Sequence, residues 1–257
     1  MSVPDAVSSE IMMAPPRPSR WGFWATCAWG IAILAATMAG QVAAIVVVVI
    51  VWSQIDPASM PASTKAAASN AIVLSVVSLA TLPVTLLTIG LAIRLARVRF
   101  ADYLALKPID GGAARLGLAC TFGYLVAVEV LSYVSGRGLT VPFVQELYGS
   151  ARASGTVVLM LVAIAGAAPV SEELLFRGFL FRGWAASRLG VAGTIALTSA
   201  IWAGLHVQYD AVIIGEIFGL GLLFGWLRVR TGSTLTTIAL HAIYSLGAMI
   251  QAAILAG

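Results

Sequence analysis

The sequence predicts an all-α fold, a polytopic transmembrane bundle of about seven helices, and three observations carry that prediction. Hydrophobic residues make up 60% of the 257 positions and charged residues only 10%, with a mean hydropathy of +0.97. A soluble domain carries about 25% charged residues and could not hide this much apolar surface from water. The apolar residues gather in blocks of roughly 20, the length needed to cross hydrocarbon as a helix. Lysine and arginine alternate between sparse and abundant from one connection to the next, as expected where cytoplasmic loops are the basic ones.

Residues 1–20 are polar, and Pro15, Pro16 and Pro18 interrupt any helix there. They read as a disordered tail rather than a signal peptide, because the apolar block that follows is much longer than a signal's apolar core. Spans are expected at 23–52, 71–93, 116–134, 156–176, 191–206, 211–227 and 235–255. The first is long enough to tilt or to continue beyond the bilayer. Arg17 and Arg20 precede it; Arg94, Arg97, Arg99, Lys107 and Arg115 fill the second connection. Arg177, Arg182 and Arg188 follow the fourth span, and Arg228 and Arg230 follow the sixth, whereas the other connections hold Lys65, Arg137 and Arg152. This pattern places the N-terminus in the cytoplasm and the C-terminus outside, in what short loops suggest is a bacterial cytoplasmic membrane. No linker divides the chain, so 21–257 is expected to form one membrane domain. Gly215 with Gly219, and Gly221 with Gly225, have the spacing that lets membrane helices approach closely.

A net charge of +4 and a pI near 9.4 would suit a nucleic-acid binder if the cations were clustered. Here they lie singly or in small groups at the ends of apolar blocks, so lipid is the expected neighbour and no nucleic acid is. Cys27 and Cys120 fall inside apolar blocks and read as packing residues; neither a disulfide framework nor a cysteine metal motif is present.

Burying a charge in hydrocarbon costs about 2.5 to 3.5 kcal/mol on insertion scales, so an ionisable residue inside a span suggests function. Near the end of the fourth span, Glu172 and Glu173 are followed by Arg177. At about 100° per residue, Glu173 and Arg177 share a face and suit a structural ion pair, which leaves Glu172 free to face a cavity as a base. Both histidines lie in later spans: His206 one turn after Trp202, and His241 one turn before Ser245. Imidazole exchanges protons near neutrality, and a carboxylate beside it can activate water. The structural alternative is that these side chains bind helices together or snorkel at the membrane edge. Glu129 and Glu216 also lie within spans, each solitary in the sequence, and are assigned to helix contact or a cavity lining.

Glu172-Glu173-x-x-x-Arg177, Trp202-x-x-x-His206 and the motif beginning at His241 resemble the CPBP (Abi) family of CAAX prenyl endopeptidases and bacteriocin-processing enzymes. Phe176-Arg177-Gly178-Phe179-Leu180 and Arg230-Thr231-Gly232-Ser233 are similar to its flanking sequences. The resemblance covers about 165–247 and places the catalytic core at about 155–255. It implies a helical bundle with an internal active-site cavity and a glutamate-dependent intramembrane endopeptidase activity on a membrane-associated peptide or protein. Glu172 would then deprotonate water and His206 would hold it. His241 and Ser245 would polarise the scissile carbonyl, while Glu173, Arg177 and Trp202 would support the site. Two departures are Trp202, where the family usually has phenylalanine, and Ser245, where it has asparagine; serine has one donor and a shorter reach.

No cofactor is expected. A zinc ion, were one bound, would take Glu172, His206 and His241 as ligands, although the sequence has no His-Glu-x-x-His. Two other classes use the same residues: a proton-coupled transporter, and a non-enzymatic bacteriocin self-immunity or membrane interaction protein. An aspartyl intramembrane protease lacks its second membrane aspartate here, and a serine type lacks a nucleophile in a glycine-rich turn.

Overall fold

The computed structural model describes residues 21–256; the tail expected at 1–20, with Arg17 and Arg20, lies outside the described residues. Eight helices dominate: α1 (Phe23–Ile55), α2 (Ala71–Ala96), α3 (Gly111–Val134), α4 (Pro142–Ala153), α5 (Val157–Ala185), α6 (Gly190–Gly204), α7 (Ala211–Thr231) and α8 (Thr234–Leu255). Short helical turns occur at Pro57–Ser59, Thr64–Ala68 and Phe100–Tyr103, and there is no strand among the described residues. Six helices, α1, α2, α3, α5, α7 and α8, are long and apolar enough to cross a membrane. The chain is a multi-pass membrane protein, and all seven expected spans are helical. The remaining one, the fifth expected span, is α6, which is apolar but has 15 residues. At 1.5 Å per residue it is about 22 Å long, short of the roughly 30 Å of hydrocarbon.

Two departures from the sequence reading matter for the site. The fourth span does not stop at Phe176 but continues to Ala185, so Arg177 and Arg182, counted above as loop cations, sit within α5. Its backbone widens to π-helix at Ala163–Ala167 and again at Leu174–Leu180, a feature concentrated at functional sites. The second departure is α4, an amphipathic helix absent from the span list. Pro142 occupies its first turn, where a missing N–H costs nothing. Leu147 and Ala151 are buried with Ala71 of α2, Met160 of α5 and Met249 of α8.

Close approaches set the helix spacing. A Cβ on Gly221 or Gly225 would come within 2.8 Å of Ser199 or Ile195 on α6, as the small-residue spacing predicts. Gly219 receives the Tyr124 hydroxyl of α3, but Gly215 has no neighbour within 4 Å, so the first glycine pair works only through one member. The tightest notch is at Gly183 of α5, where a Cβ would lie 1.9 Å from Thr26 Oγ1 of α1. Cys27 and Cys120 are free thiols.

One end of the bundle is tied by cation and hydroxyl contacts. Arg182 Nη1 donates to the Asp102 carbonyl at 2.6 Å, Ser233 Oγ donates to Lys107 O at 2.6 Å, and Thr234 Oγ1 donates to Leu104 O at 2.6 Å. Gly232, at φ 64°, ends α7 in the left-handed conformation that glycine adopts without strain, and the Ser233 side chain then caps α8. At the other end, Arg137 pairs with Asp210 at 2.6 Å, and Gln251 Nε2 donates to Leu139 O at 3.1 Å.

Candidate active site

The site grows from a buried ionic core. Glu173 and Arg177 are both 0% exposed, and Arg177 Nη1 donates to Glu173 Oε1 at 3.0 Å, one turn apart as the sequence spacing predicts. Arg177 Nη2 donates to Gly221 O of α7 at 3.2 Å. Its guanidinium lies 4.6 Å from the centre of the Trp202 ring and 5.9 Å from that of Phe224, within reach for cation–π attraction. His241 Nδ1 lies 3.1 Å from the same Glu173 oxygen. A single carboxylate thereby joins α5 to α8, while its arginine joins α5 to α7. The sequence reading had assigned Glu173 only to Arg177; the His241 contact spans 68 residues and no local pattern announces it.

Glu172 points elsewhere. Half-buried, it accepts a hydrogen bond from Trp202 Nε1 at 2.5 Å and lines a cavity of about 380 Å³. His206, His241 and Ser245 line the same cavity, so the four residues expected to carry chemistry converge from α5, the end of α6 and α8. The Trp202 ring is 2% exposed and meets both imidazoles edge-on, with ring centres 5.3 Å apart in each case. His206 falls just beyond α6 rather than ending it, and its Nδ1 lies 2.8 Å from the Trp202 carbonyl. A carbonyl only accepts, so Nδ1 of His206 carries a proton and Nε2 is the acceptor of the neutral ring. The same reasoning protonates Nδ1 of His241 against Glu173.

Residues of the N-terminal half, from which the sequence reading took nothing beyond helices, complete the cavity. Thr37 and Gln41 of α1, Ser78 and Thr85 of α2, and Phe143 of α4 all line it. A signal was available: Thr37 and Gln41 are polar residues four apart inside an apolar span. Tyr209 was missed as a cavity residue as well. Its ring stacks on His206 at 6.2 Å and 18° and meets Phe143 edge-on at 5.3 Å. Burial pushes its phenol up to about 12, with the Glu172 carboxylate adding to the rise and Gln208 opposing it, so Tyr209 is a neutral hydroxyl.

Glu129 and Glu216 are not solitary. Both line a second cavity of about 90 Å³ together with Tyr244 and Gln251, and Gln251 Nε2 donates to Glu129 Oε1 at 2.9 Å. Among the described residues, no three His, Cys, Asp or Glu side chains form a group that could hold a metal ion. One oxygen of Glu172 is held by the indole and one nitrogen of His241 by Glu173.

A family model described as type II CAAX prenyl endopeptidase Rce1-like matches residues 154–247. An Escherichia coli protein that bears only the description "Uncharacterized 24.3 kDa protein" is 28% identical over 147 residues, which span 55% of this chain and 67% of that one. No solved structure matches the chain. The matched stretch contains α5, α6, α7 and most of α8 with Glu172, Glu173, Arg177, Trp202, His206, His241 and Ser245, and this C-terminal part of the chain is accordingly similar to the Rce1-like family.

Proposed function

We propose that the chain is an intramembrane endopeptidase in which Glu172 activates a water against a peptide bond of a membrane-associated protein or peptide. The observation that carries the reading is the convergence of Glu172, His206, His241 and Ser245 on one cavity of about 380 Å³, large enough for a peptide backbone. With one carboxylate oxygen held by Trp202, the other takes the proton as water oxygen bonds to the scissile carbonyl carbon. His206, its Nδ1–H held by the Trp202 carbonyl, accepts from that water through Nε2. The new oxyanion requires donors. Ser245 supplies a hydroxyl, and His241 supplies Nε2–H when it is an imidazolium whose Nδ1–H remains on Glu173. The carbon–nitrogen bond then breaks, and Glu172 passes its proton to the departing amine. No step is assigned to a metal. We further place the N-terminal end of α1 on the cytoplasmic side, because Arg94, Arg97, Arg99, Lys107, Arg182, Arg188, Arg228 and Arg230 belong to the connections and helix ends at that end of the bundle.

Purified protein reconstituted in liposomes should cleave membrane-associated peptides from a mass-spectrometric library, and Glu172→Gln should reduce that cleavage at least 1000-fold. Equal rates for the two proteins would remove the assignment of Glu172. Proton-coupled flux without cleavage, abolished by the same substitution, would instead identify a transporter. Protection of cells that survives replacement of both Glu172 and His206 would identify an immunity protein.

A further inference from the structure

We infer that Trp202 is a positioning residue for Glu172, and that its indole N–H performs a task that phenylalanine at this position could not. The inference rests on the endopeptidase reading and adds to it the device that aims the base. Aromatic packing alone would be served by either ring, which is how the sequence suggests the exchange should be regarded. The geometry is different. Nε1 donates to Glu172 Oε2, and a benzyl ring has no donor to offer.

Four contacts converge on this one residue. Its indole N–H holds Glu172, its carbonyl holds His206 Nδ1 at 2.8 Å, its ring edge meets His241, and its face receives the Arg177 guanidinium at 4.6 Å. Arg177 is itself fixed by Glu173 and Gly221, so the indole is clamped from the side opposite the cavity and cannot swing with the carboxylate. A glutamate side chain has three rotatable bonds and, half-buried beside a cavity, would otherwise sample several orientations. Tying one oxygen to a rigid donor leaves the second to meet water, and the same residue sets the tautomer of His206. Base and histidine are therefore aligned by one side chain and its own backbone, which accounts for a fully buried tryptophan at the end of a short helix.

The test has two parts, and the first needs no substrate. In protein labelled with ¹⁵N-tryptophan in detergent micelles, the indole N–H resonance of Trp202 is assigned by its loss in Trp202→Phe. It should lie downfield, as for an indole bonded to a carboxylate, and move upfield by several tenths of a ppm in Glu172→Ala. An unmoved resonance overturns the inference, and Glu172→Ala keeps this arm decisive even if Trp202→Phe folds poorly, with residue-specific labelling supplying the assignment. In the second part, Trp202→Phe should lower kcat at least tenfold while KM stays within twofold, because substrate contacts survive and only the base is misaligned. A variant with parental kcat overturns the positioning role. If the parent cleaves no peptide, the endopeptidase reading fails on its own, while the resonance still decides whether the indole holds the carboxylate.

Discussion

Replacing Arg177 by methionine isolates the contribution of the buried ionic core. The guanidinium is 0% exposed, bonds Glu173 and the Gly221 carbonyl, and lies on the Trp202 ring. Removing it leaves the Glu173 carboxylate, also 0% exposed, with His241 as its remaining ionisable neighbour. Stranding one member of a buried pair costs about 3–5 kcal/mol, and the contact with His241 puts the expectation toward the lower end, about 3 kcal/mol. Glu173→Leu alone strands the arginine and should cost a similar amount. In the double variant neither charge is left uncompensated, and the pair replaced by apolar groups of similar size should recover much of the loss. With each single variant costing about 3 kcal/mol and the double costing less than either, the coupling expected from the cycle is at least about 3 kcal/mol, at the upper end for residues in contact. Reversible unfolding of the four purified proteins in detergent micelles measures it. Costs that simply add in the double variant, or an Arg177→Met protein within about 0.5 kcal/mol of the parent, would refute the assignment of this pair as a coupled buried ionic core.

Two further predictions use the same unfolding assay. Gly183→Ala places a methyl 1.9 Å from Thr26 Oγ1, so α1 must move from α5 at a cost of about 1–3 kcal/mol; Gly149→Ala, with nothing within 4 Å, should be neutral or slightly stabilising by comparison. Asp210 caps α7, and hydrogen bonds from the Ile213 backbone and from Arg137 lower its carboxyl below the ordinary aspartate range. A depressed folded value means that its contribution is complete above the unfolded value near 3.9 and is lost as pH falls through the lower folded one. Asp210→Asn, which keeps a capping oxygen, should therefore flatten the decline of the unfolding midpoint below about pH 4, and parallel curves for parent and variant would refute that origin.

The spans were legible because hydrocarbon imposes a length that apolar blocks display directly. Where the reading went astray, a charge had been taken as a boundary. Arg177 and Arg182 follow an apolar run and so look like loop residues, but Arg177 is neutralised by Glu173, Gly221 and Trp202, and Arg182 reaches the Asp102 carbonyl. Apart from Glu173, one turn away, these partners lie 25 to 80 positions away, beyond any local window. The amphipathic α4 did leave a trace, a proline followed by apolar residues at Phe143, Val144, Leu147, Tyr148 and Ala151, but a search tuned to continuous hydrophobicity passes over it. The site was readable in its composition, since ionisable residues are rare in spans. Its wiring was not: the attachment of His241 to Glu173 and of Trp202 to Glu172 depends on how three helices pack.

The shortness of α6 connects these points. Had it crossed the full hydrocarbon thickness, Trp202 and His206 would be two more positions on a continuous helix, with the His206 ring confined to one helical face. Instead the helix stops at Gly204, and His206 belongs to the turn that follows. There its ring folds back on the Trp202 carbonyl and packs against Tyr209. Irregular backbone in a membrane protein is tolerated where it lines a cavity, and Leu205, His206, Gln208 and Tyr209 all line this one. The adjacent acids of α5 exploit the same boundary. About 100° apart on the helix, Glu173 turns inward to the struts that fix the helix, and Glu172 turns to the cavity left by the truncated neighbour. The orientation of the half-buried carboxylate is thus inherited from the fully buried one, and the ionic core and the reactive edge are two faces of a single turn.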